Sequence, residues 1–105
     1  MSFRVRVTPR AAADMERLFD HLVERELQRA DGDLDIPELA LGAIHGALRV
    51  PETTPFTCRK AGDSPFLREL VIPFGHTGYV ALFEIVGEHE VWVAAVRHQR
   101  EDDYR

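Results

Sequence analysis

Residues 91–96 read Val-Trp-Val-Ala-Ala-Val, and the polar stretch Arg97-His98-Gln99-Arg100 follows directly. Six successive apolar residues, three of them valine, are typical of a fully buried strand, because a half-exposed strand alternates apolar and polar side chains. The run therefore predicts an interior strand covered on both faces, with the sheet curled around it. Trp92 is expected to be buried in this strand, so that its replacement by alanine unfolds the domain.

The residues before this run predict two more strands, Leu67 to Phe74 and Tyr79 to Ile85. The glycine-bearing segments 75–78 and 86–89 separate the three strands and have the length of hairpin turns. Strands that are joined by hairpins pair in the antiparallel sense. An antiparallel meander is therefore expected, preceded by an irregular, proline-rich connection with a short strand around residues 56–60.

The N-terminal part predicts a strand from Phe3 to Val7 and two helices. Thr8-Pro9 is a strong helix start, since threonine caps a free amide and proline at the first helical position gives up a donor that would stay unpaired. An apolar stripe then recurs at helical spacing, at Ala12, Met15, Phe19, Leu22, Val23 and Leu27.

A second helix is predicted to begin at Asp35-Ile36-Pro37-Glu38, which has the pattern of a capping box. Gly42 and Gly46 lie one turn apart in it and are expected to allow close packing against a neighbour. The sequence thus predicts an α+β domain of order β-α-α-β-β-β, in which a helical hairpin packs on a curled antiparallel sheet.

Length and charge limit the classes of protein that this chain fits. Its 105 residues suit a single domain over residues 1–105, and the one cysteine, Cys58, cannot form an internal disulfide or a thiolate metal cluster. No apolar run has the length of a membrane span and no signal peptide is recognisable, so a cytoplasmic protein is expected. The net charge of −5 argues against a protein that coats nucleic acid by charge alone.

Candidate functional residues lie on two strands and in the C-terminal segment. No phosphate loop or zinc motif is present. His98 follows the predicted buried strand with Arg97 and Arg100 beside it, although these arginines could simply pair with Glu101, Asp102 and Asp103. Arg68 is expected on one face of its strand with Leu70 and Ile72, where it could bind a phosphate or a carboxylate, or form a cross-strand ion pair with Glu84.

The whole pattern resembles the RelE/ParE toxin superfamily, also called plasmid stabilisation proteins. The resemblance is carried by Thr8-Pro9-Arg10-Ala11, by Leu67-Arg68-Glu69-Leu70 ahead of a Gly-x-x-Gly-Tyr turn, and above all by the segment 93–100. It implies a bacterial type II toxin whose activity is neutralised by a cognate antitoxin, with which it forms an oligomer. Within the superfamily, ParE-type members bind DNA gyrase, and RelE-type members cut mRNA on the ribosome without metal or cofactor.

Two departures favour the ParE-like branch. The cleaving branch usually reads Tyr-Arg-Val after the glycine turn, but here the sequence is Tyr79-Val80-Ala81. The net negative charge is also unfavourable for an enzyme that must enter the rRNA-lined site of the ribosome. The expected function is gyrase inhibition by binding, without catalysis, cofactor or metal. The alternatives are ribosome-dependent mRNA cleavage and a degenerate toxin that only binds antitoxin. The residues expected to bind the partner are Arg68, Arg97, His98, Arg100 and Tyr104. In a nuclease the same five residues would be catalytic.

Overall fold

The computed structural model describes residues 2–101 and 104. Its elements are β1 (Arg4–Val7), α1 (Pro9–Leu27), α2 (Asp35–Ala47), β2 (Arg59–Lys60), β3 (Leu67–Phe74), β4 (Thr77–Val86) and β5 (Glu90–His98), with two short 3₁₀ turns, Val50–Glu52 and Pro55–Thr57, before β2. The strands form one open sheet in the order β1-β5-β4-β3-β2. Both helices pack on one face of this sheet, so the predicted α+β fold is confirmed.

The sheet is mixed rather than wholly antiparallel. The predicted meander is confirmed, since β3–β4 and β4–β5 pair in the antiparallel sense. β1, however, runs parallel to β5, with Val5 opposite Val91. A parallel pair needs a long crossover connection, and the helices and the meander together provide it. The pairing joins the two ends of the domain and places β5 in the interior of the sheet.

Helix α1 begins where the sequence predicts. Thr8 Oγ1 accepts a hydrogen bond from the amide of Ala11 at 3.2 Å, and Pro9 occupies the first helical turn. The expected apolar stripe is correct at Met15 and Leu22, which are buried, but Ala12 and Leu27 are exposed. Asp14, which the pattern places on the polar side, is buried against the sheet.

The start of α2 and its glycines differ from the prediction. No side chain caps the helix in the manner of a capping box; instead Asp33 Oδ1 accepts a hydrogen bond from the Asp35 amide at 2.9 Å. A Cβ atom added to Gly42 or Gly46 would meet nothing within 4 Å, so neither glycine provides a close approach. The close approach lies at Gly32, where an added Cβ would stand 1.8 Å from the carbonyl oxygen of Glu26.

Trp92 is 42% exposed, so the prediction that it lies buried is wrong. The helices cover only one face of the sheet, and Val91, Val93 and Val96 are the residues of β5 that lie in the core beneath them. A β-bulge explains the unbroken apolar run. Leu82 pairs with Ala95 while Phe83 pairs with Val93, so Ala94 is an extra residue that shifts the alternation of side chains.

Candidate functional site

The C-terminal end of β5 is fixed by contacts from α1. Thr8 Oγ1 donates a hydrogen bond to the carbonyl of Val93 at 2.9 Å, and the amide of Val96 donates to Asp14 Oδ2 at 3.0 Å. These two bonds flank the bulge and satisfy backbone groups that the irregular ladder leaves available. As a result, the next two residues, Arg97 and His98, are held on opposite faces of the sheet.

Arg97 lies on the uncovered face, where it contacts Glu69 and Tyr104. The Tyr104 hydroxyl donates to Glu69 Oε2 at 2.6 Å, and Arg97 Nη2 lies 3.8 Å from the same oxygen. The Arg97 guanidinium stands 5.1 Å from the centre of the Tyr104 ring. Its Nη1 also donates to the carbonyls of His98, Gln99 and Glu101, at 3.2, 3.4 and 2.6 Å. Arg97 thus ties the C-terminal segment to the sheet.

The phenol of Tyr104 is held in its protonated form. Burial, together with the hydrogen bond to the Glu69 carboxylate, raises the pKa of Tyr104 far above its ordinary value of 10.0. A phenol that donates to a neighbouring carboxylate keeps its proton at neutral pH. In this arrangement Tyr104 positions the chain and is a poor general base.

His98 lies on the helix-covered face at the mouth of a groove. Its Nδ1 accepts a hydrogen bond from the Arg100 amide at 3.1 Å, and its Nε2 lies 3.0 Å from Thr77 Oγ1. Burial and the Arg100 guanidinium lower the pKa of His98 below 6.5. The ring is therefore neutral at pH 7, with the proton on Nε2 because Nδ1 acts as an acceptor.

Arg68 does not join this group. Its Nε donates to the carbonyl of Pro65 at 2.7 Å, and its Nη1 donates to the carbonyls of Phe56 and Cys58 at 3.1 and 2.8 Å. The alternative ion pair with Glu84 is also absent, because Arg68 pairs in register with Phe83 and shares the helix-covered face, whereas Glu84 points to the other face. Arg68 pins the 3₁₀ turn at residues 55–57 to the sheet.

The groove beside His98 is the feature that sequence reasoning missed. It has a volume of about 910 Å³ and lies between α1 and the β3–β4 hairpin. We call it the arginine groove; its charged and polar lining residues are Arg17, His21, Arg25, Arg29, His76, Thr77, His98, Arg100 and Glu101. A signal for it was available, since basic residues recur at every fourth position, at 17, 21 and 25 in the first helix and at 29 just after it.

The five predicted site residues are therefore divided among three places. Arg97 and Tyr104 share the uncovered face, His98 and Arg100 share the arginine groove, and Arg68 lies in β3 beside the edge strand β2. No ion pair of Arg100 is found within residues 2–101 and 104, and the expected pairing with Asp102 and Asp103 falls outside the described residues. In the described part of the chain, no three His, Cys, Asp or Glu side chains are grouped as a metal site.

Comparison with known proteins places this architecture in a family. The family model for the ParE toxin of type II toxin–antitoxin systems, parDE, matches residues 5–103. The chain belongs to the ParE toxin family. It is a toxin of a type II toxin–antitoxin module, and membership of this family implies an antitoxin as its partner.

One curated relative and one solved structure are similar to this chain. Toxin RelE1 of Caulobacter vibrioides is 35% identical over 98 residues, which cover 93% of this chain and 95% of the relative. The fold also matches a solved structure from the chromosomal ParDE system of P. aeruginosa, with a TM-score of 0.69 at 17% identity, covering 92% of this chain and 96% of that one. Among the described residues of this family member, no helix is long and apolar enough to cross a membrane.

Proposed function

We propose that this ParE-family toxin acts in the cytoplasm by binding DNA gyrase, without chemistry of its own, and that its antitoxin neutralises it by covering the toxin. The observation that carries the proposal is the engagement of the expected nuclease residues in contacts within the chain. The Tyr104 hydroxyl is bound to Glu69, Arg97 is bound to Glu69 and to three carbonyls, and Arg68 is bound to three other carbonyls. A nuclease needs these groups turned toward one phosphate.

The position that is arginine in the cleaving branch also favours binding without cleavage. Val80 pairs with Arg97 across β4 and β5, and it is buried, with 1% of its surface exposed. Its isopropyl group can offer no charge to a phosphorane. The strand beside Arg97 therefore lacks the positive charge that the cleaving branch carries at this position.

Partner contacts are assigned to the residues at the end of β5. We propose that His98 and Arg100 contact the partner directly, since both line an open groove, and that Arg97 and Tyr104 hold the C-terminal segment beside them. Arg68 contributes by holding the 3₁₀ turn at residues 55–57 against the sheet. Arginine and tyrosine are common in the residues that contribute most to protein interfaces.

mRNA cleavage on the ribosome is the alternative function. The relative named Toxin RelE1 favours it by name alone. Cleavage would require the C-terminal segment to rearrange, so that Tyr104 leaves Glu69 and its phenol can exchange a proton. A toxin that has lost its target and retains only antitoxin binding is the third reading.

Two assays with the same purified toxin separate these functions. DNA supercoiling by gyrase should be inhibited, whereas primer extension on mRNA in a purified translation reaction should reveal no new 5′ ends. Toxin that has first been mixed with its antitoxin is the matched control. It should leave supercoiling uninhibited and the mRNA uncut. Cleavage with normal supercoiling would establish the alternative, and a toxin inactive in both assays would be the degenerate form.

The antitoxin itself can be identified by co-expression with the product of the neighbouring gene. A stable complex should elute as one peak in size-exclusion chromatography and contain both chains. Elution of the toxin alone, with that gene product folded, would contradict this assignment of the partner.

A further inference from the structure

The end of β5 continues into a turn over residues 98–101, which we call the C-terminal turn, and a ring of hydrogen bonds closes it. The amide of Glu101 donates to the carbonyl of His98 at 3.0 Å, and the amide of His98 donates to Glu101 Oε1 at 3.1 Å. The amide of Arg100 donates to His98 Nδ1 and fixes the imidazole in the same turn. The Glu101 carboxylate therefore helps to set the direction in which His98 and Arg100 point.

Arg17 connects this carboxylate to helix α1. Its Nη1 lies 3.7 Å from Glu101 Oε1, the oxygen that accepts the His98 amide, and its Nη2 lies 3.9 Å from Asp14 Oδ1. The side chains of Glu101 and Asp14 are only 17% and 9% exposed, and Arg17 Nη2 is itself buried. The guanidinium thus lies enclosed between two carboxylates, where opposite charges attract more strongly than in open solvent.

Asp14 anchors the other end of this arrangement to the sheet. Its Oδ2 accepts a buried hydrogen bond from the amide of Val96 at 3.0 Å, two residues before the C-terminal turn. The contacts therefore lead from Val96 through Asp14 and Arg17 to Glu101, and both ends of the series belong to one continuous segment of chain. Because of this closure, Arg17 fixes the turn relative to the strand from which it emerges.

Other contacts hold the backbone of the C-terminal turn against the sheet. Arg97 Nη1 donates to the carbonyl of Glu101 at 2.6 Å, and the amide of Gln99 donates to the carbonyl of Gly78 at 2.8 Å. These bonds remain when the ion pair is removed, so the turn stays in place. What changes is the orientation of the carboxylate and of the groups bonded to it. Loss of the ion pair should therefore affect the presentation of the site more than the stability of the fold.

We infer that Arg17 and Glu101 are positioning residues of the partner-binding site: Arg17 holds the Glu101 carboxylate where it orients His98 and Arg100. The inference rests on the function proposed above, in which these two residues contact DNA gyrase. It adds a residue of α1 to a site that lies at the end of β5. The pair acts through the C-terminal turn rather than by touching gyrase.

Substitutions that remove one charge at a time test the pair. In Glu101→Gln the side chain keeps an oxygen that can accept the His98 amide but loses its charge attraction for Arg17, and Arg17→Gln removes the other charge. Each variant should raise the toxin concentration that half-inhibits DNA supercoiling by gyrase about three- to tenfold, roughly the worth of one hydrogen bond. Because the two residues act as a unit, the double variant should lose no more than the larger single loss. Arg17→Lys keeps the charge and should recover part of the inhibition.

The exposed ion pair between Arg49 and Glu52 is the matched control. Its N–O distance of 3.9 Å is similar, and neither residue belongs to the C-terminal turn or lines the groove. Arg49→Gln and Glu52→Gln should inhibit gyrase as the wild type does. A general effect of removing a surface ion pair would appear in these two variants as well.

Hydrogen exchange shows where each substitution acts. In Arg17→Gln the amide of His98 should exchange faster, while the amide of Phe83 in the core strand β4 should exchange as in the wild type. The thermal midpoint should fall by at most about 5 °C, because the ion pair is partly exposed. A purely structural role would instead speed exchange throughout the domain.

Three results would overturn the inference. They are unchanged gyrase inhibition in both single variants, losses that add in the double variant, and faster exchange at Phe83 as well as at His98. Failure of the wild-type toxin to inhibit gyrase would contradict the proposed function instead. In that case the same variants are compared by their affinity for the antitoxin, measured by isothermal titration calorimetry. A loss of about three- to tenfold supports the inference, and unchanged affinity overturns it.

Discussion

At the scale of single residues, Phe83 and Trp92 have opposite roles despite similar chemistry. Phe83 is 0% exposed in the core, whereas Trp92 stands on the uncovered face with its indole N–H donating to Glu90 at 2.8 Å. Phe83→Ala should lower the free energy of unfolding by about 3–5 kcal/mol because it leaves a cavity. Trp92→Ala should cost only about 1–2 kcal/mol, since less apolar area is buried. Urea unfolding of both variants measures this, and equal losses would contradict the exposed placement of Trp92.

Tyr104 offers a second test at this scale. Tyr104→Phe keeps the ring beside Arg97 and removes the hydroxyl that donates to Glu69, so stability should fall by about 1 kcal/mol. Growth arrest on induction should persist if the toxin acts by binding. A phenol that served as general acid or base would instead be worth roughly 10²–10⁴-fold in rate. Loss of toxicity at normal stability and antitoxin binding would therefore favour the nuclease alternative.

The candidate residues could be found from the sequence, but their groupings could not. Arg97 and His98 are neighbours in the chain, yet strand geometry sends their side chains to opposite faces. Arg68 carries the right chemistry, but backbone carbonyls from a distant 3₁₀ turn occupy its guanidinium. Contacts of this kind join residues far apart in sequence and leave no local pattern.

At the scale of elements, the two glycines of α2 lower the stability of the helix, although no close packing requires a glycine at either position. Gly42 and Gly46 are exposed, and an added methyl group would meet nothing within 4 Å at either position. Gly42→Ala and Gly46→Ala should each raise the free energy of unfolding by about 0.5–1 kcal/mol, because alanine loses less backbone entropy in a helix. Urea unfolding measures these gains.

Gly78→Ala is the matched comparison in β4. There an added Cβ would stand 2.1 Å from the carbonyl oxygen of Ile72, so backbone would have to move. This variant should lose stability by about 1–3 kcal/mol. A loss of stability in Gly42→Ala or Gly46→Ala would contradict the open surroundings of these two glycines.

Local signals predicted the elements of this fold, and non-local ones were missed. Thr8-Pro9 and the glycine turns depend on a few adjacent residues, and both were placed correctly. The parallel β1–β5 pairing joins residues 4–7 to residues 90–93, and the bulge at Ala94 depends on Thr8 and Asp14 reaching across from α1. Because that bulge moves Val93 and Val96 to the same face, the apolar run resembles a strand covered on both sides.

At the scale of the whole molecule, buried carboxylates are matched by nearby cations and backbone amides. Glu26 lies beside Arg25 and Arg29 and accepts a hydrogen bond from the amide of Asp33. Asp14 accepts a hydrogen bond from the amide of Val96. The pairing of Glu26 is one of the contacts that tie the stability of the fold to the protonation of a few groups.

The stability of the toxin should therefore fall in two steps as pH decreases from 7. Burial and Arg100 lower the pKa of His98 below 6.5, so the unfolded chain takes up this proton first and stability begins to fall near pH 6.5. The amide of Asp33 lowers the pKa of Glu26, and the indole of Trp92 lowers that of Glu90, both from 4.5; their contribution is complete above pH 4.5 and is lost below it. Urea midpoints measured from pH 7.5 to 3.5 should show both steps. His98→Gln should abolish the upper step alone, while His45→Gln, which replaces an exposed histidine of α2, should preserve it. An upper step that survives in His98→Gln would assign it to another histidine and contradict the buried, neutral state of His98.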